Sequence, residues 1–132
     1  TLSGGYTYLE IEDQDGEPTR TWLPTQTFKL ATTYTVPTLN DLRLGAQLRW
    51  QNAVTYADPY VQDLGLVTGD VILRQDDYAV LDLMAGVRVV DNLRARVNLR
   101  NVTNTKYLSS LMWGQAFYAA PRNVSVSLSF TY

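Results

Sequence analysis

The residues able to do chemistry are few, because the 132-residue chain contains no His and no Cys. This removes Ser-His and Cys-His nucleophiles, the usual general base near neutral pH, and Cys/His metal sites. The adjacent carboxylates Asp76 and Asp77 would point to opposite faces of a strand, a poor acid–base pair. Asp13-Gln14-Asp15-Gly16 lacks the full ligand set of a calcium loop and is read as a polar hairpin tip. Asn101-Val102-Thr103 and Asn123-Val124-Ser125 match glycosylation sequons, which would mean little if the cell were bacterial. What remains is binding chemistry. Met112, Trp113, Phe117 and Tyr118, with Gln115, put apolar and aromatic side chains into a loop facing water. Tyr60 is a weaker candidate of the same kind. A formal net charge of −2 gives no electrostatic reason to bind nucleic acid.

The elements that would carry these residues follow from a period of two. Leu42, Leu44, Ala46, Leu48 and Trp50 alternate with Arg43, Gly45, Gln47, Arg49 and Gln51. The same holds over Leu81–Val90, Leu93–Arg100 and Asn123–Tyr132, and more weakly over Phe28–Val36. A first strand over Leu2–Glu12 is ambiguous in phase; Thr7, Leu9 and Ile11 are favoured as its apolar face over Tyr6 and Tyr8. No segment has a strong helical period. The expectation is all-β, with about six antiparallel strands. Asp91-Asn92 and Pro37–Asp41 read as short turns. Long connections are expected over Asp13–Thr21, Ala57–Asp76 and Val102–Arg122. Short turns on one side and long loops on the other describe a transmembrane β-barrel.

Alternation alone fits two environments. A soluble sandwich turns its apolar stripes inward; a membrane barrel turns them to lipid. A mean hydropathy of −0.16 excludes neither. Charge placement favours the barrel: Lys29, Arg43, Arg49, Arg88, Arg94, Arg96 and Arg100 all lie on polar stripes, and Asp82 is the clear acidic exception. Aromatic residues also gather in two groups, Trp22, Trp50, Tyr56 and Tyr78 toward the long loops, and Tyr34, Phe130 and Tyr132 toward the short turns. Such belts suit the two water interfaces. Because six strands fall short of the smallest usual membrane barrel, of about eight, and open edges are not tolerated in lipid, the chain is expected either to be a fragment of a larger barrel or to assemble with other chains. Thr1 lies so near a strand that a fragment is favoured.

Several segments carry a family resemblance. Asp77-Tyr78-Ala79-Val80-Leu81-Asp82-Leu83-Met84 is similar to the Y-x-x-x-D-L-x-A strand of TonB-dependent outer-membrane receptors. Asn98 to Tyr107 resembles their N-V-x-N-L-x-D-K-x-Y segment, with Val102-Thr103-Asn104 in place of Leu-Phe-Asp. Ala120-Pro121-Arg122-Asn123-Val124 and the alternation to Tyr132 resemble their C-terminal G-x-P-R-N strand. Gly4-Gly5-Tyr6-Thr7-Tyr8 and Glu12-Asp13-Gln14-Asp15-Gly16 are similar to an upstream hairpin. Together they look like ferric-siderophore receptors of the ferric-hydroxamate or pyoverdine type.

The resemblance implies the last six strands of a 22-stranded plugged barrel, with residues 1–132 as the C-terminal part of the barrel domain and the plug and earlier strands absent. It implies transport across the bacterial outer membrane rather than catalysis. Iron would arrive as a ferric-siderophore complex, so no cofactor need be held by protein ligands. The implied partners are the siderophore, the TonB system through an absent N-terminal region, outer-membrane lipid and the barrel assembly machinery, which would read Phe130 and Tyr132. Met112, Trp113, Gln115, Phe117, Tyr118 and Tyr60 would wall a siderophore vestibule, with self-packing of loops as the alternative. The basic polar stripe would face the lumen and the plug. A passive outer-membrane channel and a soluble β-barrel or sandwich binding module remain the competing functions.

Overall fold

The computed structural model describes residues 1–58, 71–112 and 115–132. Every regular element among them is a strand: β1 Leu2–Tyr8, β2 Gln26–Val36, β3 Leu42–Gln51, β4 Val54–Asp58, β5 Val71–Gln75, β6 Tyr78–Val90, β7 Leu93–Arg100, β8 Leu108–Met112, β9 Gln115–Tyr118 and β10 Asn123–Phe130. Six form one antiparallel sheet in the order β1-β2-β3-β6-β7-β10, so the main strands are nearest neighbours in sequence order. β2, β3 and β6 have 11, 10 and 13 residues, enough for a tilted membrane crossing of about 9–11 residues.

The register turns separate stripes into two continuous faces. Phe28 faces Trp50 and Trp50 faces Ala79; Leu48 faces Leu81; Ala46 faces Leu83, which faces Leu99, which faces Val124. Leu93 faces Phe130 at the far end. On the opposite face Lys29 meets Arg49, Arg43 meets Gly86, Gly86 meets Arg96, and Arg96 meets Ser127. One close packing relation fixes the middle of this polar face. A Cβ on Gly45 would stand 2.8 Å from Met84 Cγ, so the glycine makes room for the methionine opposite it.

Among the described residues none covers the apolar face. Leu44, Leu83, Val97, Val126 and Leu128 are all exposed, whereas the buried hydrophobic residues are Val54, Val80 and Leu111, none of them on that face. The chain exposes 9878 Å², against roughly 7,000 Å² for a compact monomer of this mass. A soluble sandwich would have covered its apolar stripes with a second layer. That reading therefore fails, and the single-layer sheet with one apolar face is a transmembrane barrel segment.

Four sequence expectations are corrected. β1 ends at Tyr8, not Glu12, and its phase is reversed: Tyr6 faces Phe28 and Gly4 faces Leu30, so Leu2, Tyr6 and Tyr8 join the apolar face and Thr7 does not. Tyrosine is apolar along its ring and polar at its tip, which suits the bilayer boundary. Tyr78 faces Gln51 and belongs to the polar face, outside the aromatic belt, while Trp50 holds the apolar side. The stretches 57–76 and 102–122 are not loops throughout. β4 pairs with β5 and β8 with β9, two small ribbons beyond the main sheet. The short turns stand as expected: Asp91-Asn92 joins β6 to β7, and residues 37–41 join β2 to β3.

Candidate functional site

The long connections all leave the same end of the sheet, where their described parts are tied together by polar contacts. Asp13 Oδ1 accepts the N–H groups of Asp15 and Glu17 at 2.9 and 3.0 Å, and Gly16 takes φ 79°, closing the first connection as the expected polar tip. Its descending limb reaches β4: the Thr21 hydroxyl donates to Thr55 O at 2.8 Å, and Thr55 N–H donates to Thr21 O at 3.1 Å. Trp22 meets Tyr56 edge to face with centroids 5.8 Å apart. The third connection joins them through Gln75 Oε1, which accepts Leu108 N–H at 2.6 Å. A cavity of about 250 Å³ opens between the three, lined chiefly by Trp22, Pro24, Val54, Tyr78, Leu108 and Leu111.

Beneath this cavity the sheet is locked by Asn101. β6 runs past the end of β7, so its carbonyls need other partners. The 101–105 segment supplies them: Val102 N–H donates to Leu81 O at 2.8 Å, and the Thr105 hydroxyl donates to Ala79 O at 3.0 Å. Asn101 organises the turn at φ 52° and is only 4% exposed. Its Nδ2 donates to Thr105 O and Ala120 O at 2.9 and 3.3 Å, its Oδ1 accepts Thr105 N–H at 2.9 Å, and its own N–H donates to Asp82 Oδ1 at 2.8 Å. The other Asp82 oxygen pairs with Arg49 Nη2 at 3.3 Å. Tyr107 stacks on Tyr78 at 4.2 Å. The Y-x-x-x-D and N-V-x-N segments thus meet as one structural unit.

Of the sequence-selected vestibule residues, Met112 and Gln115 pair as backbone partners at the end of the β8–β9 ribbon. Phe117 and Tyr118 stand on β9, 58% and 76% exposed, and neither lines the cavity. Trp113 and Tyr60 lie outside the described residues. The cavity is built instead by Trp22, Pro24, Tyr78, Leu108 and Leu111, which the sequence reading had not grouped. Only the clustering of Trp22, Tyr56 and Tyr78 toward the long connections hinted at it. All seven basic residues do share the polar face. Phe130 closes the apolar face at the end of β10, and Tyr132 follows it fully exposed. Among the described residues no group of three or more acidic side chains could hold a metal ion.

The family model for the TonB dependent receptor-like β-barrel matches residues 1–102. The chain is 32% identical over 129 residues to the ferric-pyoverdine 358 receptor of Pseudomonas putida, covering 97% of this chain and 15% of that protein. It is 30% identical to the ferripyoverdine receptor of Pseudomonas aeruginosa, covering 99% of this chain and 16% of that one. The chain therefore spans about one-sixth of the length of these relatives. The crystal structure of the P. aeruginosa ferripyoverdine receptor bound to ferripyoverdine superposes with a TM-score of 0.84 at 30% identity, covering 98% of this chain and 17% of that one. The E. coli ferric-catecholate import receptor Fiu gives a TM-score of 0.72 at 25% identity, covering 96% and 18%. A two-faced antiparallel sheet and a family match over residues 1–102 lead to one assignment: the chain belongs to the TonB-dependent receptor β-barrel family, outer-membrane receptors and transporters rather than enzymes.

Proposed function

We propose that this chain forms the C-terminal strands, residues 1–132, of the barrel domain of an outer-membrane receptor that imports ferric siderophores with energy delivered through TonB. The similarity to ferripyoverdine receptors along nearly the whole chain carries this reading. The siderophore class favoured is the pyoverdine type. In this reading the apolar face meets lipid and the polar face lines the lumen, where Lys29, Arg43, Arg49, Arg88, Arg94, Arg96 and Arg100 look toward a plug. Iron enters wrapped by its chelator, so ligand contact needs aromatic and polar side chains rather than metal ligands. Met112, Trp113, Gln115, Phe117, Tyr118 and Tyr60 are the proposed vestibule wall. The cavity bounded by Trp22 and Tyr78 lies among the described parts of the long connections. Phe130 and Tyr132 are the proposed assembly signal.

The test is radioiron uptake from ferric-pyoverdine by iron-starved cells carrying or lacking the full-length gene. Loss on deletion of the gene and on deletion of TonB is the expected result. Uptake that persists without TonB would instead mark a passive channel. Uptake indifferent to the gene would sink the siderophore assignment.

A further inference from the structure

The β8–β9 ribbon continues the β7–β10 pair, but the two legs that carry it differ in length. Arg100 pairs with Asn123 at the end of the sheet, and Leu108 with Tyr118 at the foot of the ribbon. Between them residues 101–107 rise and residues 119–122 return. Extra residues on one side put a backbone ladder out of step. Among the described residues one backbone bond joins the legs, from Ala119 N–H to Tyr107 O at 2.9 Å. Side chains take over the rest. Asn101 Nδ2 donates to Thr105 O on the rising leg at 2.9 Å and to Ala120 O on the returning leg at 3.3 Å. Asn104 Oδ1 accepts Arg122 N–H at 3.0 Å. Both asparagines take left-handed angles, φ 52° and 54°, which asparagine tolerates better than most side chains.

The two bridges differ in weight. The Asn104 clasp is exposed, where water competes for it. Asn101 is 4% exposed, and its backbone N–H is anchored to Asp82 Oδ1 on β6 at 2.8 Å. The rising leg is fixed to β5 and β6 by Leu108 N–H on Gln75 Oε1, Val102 N–H on Leu81 O and the Thr105 hydroxyl on Ala79 O. The returning leg has no such tie among the described residues, and takes its place from the rising leg chiefly through Asn101. We propose that Asn101 is a positioning residue for ligand capture: its carboxamide, bridging both legs, holds the β8–β9 ribbon in one pose relative to the main sheet and so sets siderophore affinity without touching the ligand. This rests on the vestibule reading above, in which the ribbon presents Met112, Gln115, Phe117 and Tyr118. Without the bridge the returning leg keeps one exposed clasp and one backbone bond, and the ribbon divides its time among several poses. A receptor that holds the binding pose about one-tenth of the time binds about tenfold more weakly.

Spin labels on Asn92→Cys and Ser110→Cys, both exposed positions, report the pose as a distance distribution by pulsed electron resonance. The protein is the full-length receptor in a background free of other reactive cysteines. Asn101→Gly accepts the backbone angle. It should broaden the distribution and raise the Kd for ferric-pyoverdine about tenfold, with uptake at saturating ligand near the wild-type rate. A merely structural role would do the reverse, lowering maximal uptake with receptor number and leaving Kd unchanged. Asn104→Gly places the same residue at the same backbone angle in the same leg but spares the buried amide. Its distribution should stay narrow and its Kd unchanged, and it decides the matter if Asn101→Gly does not fold. A narrow distribution in Asn101→Gly, an unchanged Kd there, a loss confined to maximal uptake, or a ribbon spread as widely by Asn104→Gly would each overturn the proposal. A wild type that does not bind ferric-pyoverdine would sink the siderophore reading instead, and the distances alone would then decide whether Asn101 holds the ribbon.

Discussion

The two ends of the sheet handle their polar groups in opposite ways. At the long-connection end Asp82 joins Arg49 to Asn101, and Asn101 in turn bonds Thr105 and Ala120. At the short-turn end Arg88 faces Arg94 and Arg43 lies one glycine from Arg96, and among the described residues the carboxylates pair only with Arg88. The sheet, the face and the residue types are the same. The difference shows that a polar face in a barrel wall is not one environment. One end ties its carboxylate into a network, although Lys29 stands opposite Arg49 and Arg49 Nε is buried without a partner; the other gathers its described carboxylates on Arg88.

The middle of the sheet, common to both ends, sets the energetic scale. Leu83 lies centrally on the apolar face, opposite Ala46 and Leu99. Leu83→Arg should cost ~2–4 kcal/mol if lipid covers this face at the bilayer midplane, measured by denaturant unfolding of the full-length protein in vesicles. A cost near zero would mean the face meets water and would dissolve the comparison. At the satisfied end, Asn101→Ala removes three side-chain hydrogen bonds from a residue 4% exposed and places alanine at φ 52°. A loss of about 2–3 kcal/mol follows from roughly 0.5–1.5 kcal/mol per bond. Asn101→Gly, which accepts the backbone angle, should recover only the strain component. Asp82→Asn keeps an acceptor for Asn101 N–H but removes the charge from Arg49, which is 43% exposed at its side chain. The partial exposure screens the pair, so about 1 kcal/mol is expected. Amide exchange at Asn101 should stay slow in that variant.

How much of this contrast could be read in the sequence depends on how local its causes are. The main strands were legible because alternation is a local property, and because a face bounded by lipid tolerates few exceptions to it. Leu42–Gln51 and Leu93–Arg100 match in full. β1 failed in phase because Tyr6 and Tyr8 share their parity with Glu10 and Glu12, and only pairing with Phe28 decides the matter. The β4–β5 and β8–β9 ribbons were missed because Val71-Ile72-Leu73 and Ser109-Ser110-Leu111 do not alternate. The cavity was hidden for a different reason. Trp22, Tyr78 and Leu108 lie far apart in the chain and come together only because three connections leave one end of the sheet. The basic face was visible as a list of residues. Its crowding at one end was not, since Arg88 and Arg94 become opposite partners only through the two-residue turn and the irregular register at Arg88/Val90.

The smallest expected effect is the most diagnostic of the unsatisfied end. Arg94→Ser removes one of two arginines placed opposite each other, and Arg94 has no ion pair among the described residues. If nothing outside the chain meets this cluster, the change relieves repulsion and the protein should gain a few tenths of a kcal/mol, within the ~0.2–1 kcal/mol of a cross-strand pair. That gain should fade with added salt, as screening does the same work. If carboxylates beyond the described residues pair with it, the sign reverses: Arg94→Ser should destabilise, by more at low salt than at high. Unfolding midpoints of wild type and variant at two salt concentrations give the sign directly. Asp82→Asn provides the contrast, since its effect belongs to a pair inside the chain and should keep one sign at both concentrations. The sign of the Arg94 effect therefore tells whether the two ends differ in their own energetics or in what they wait to meet.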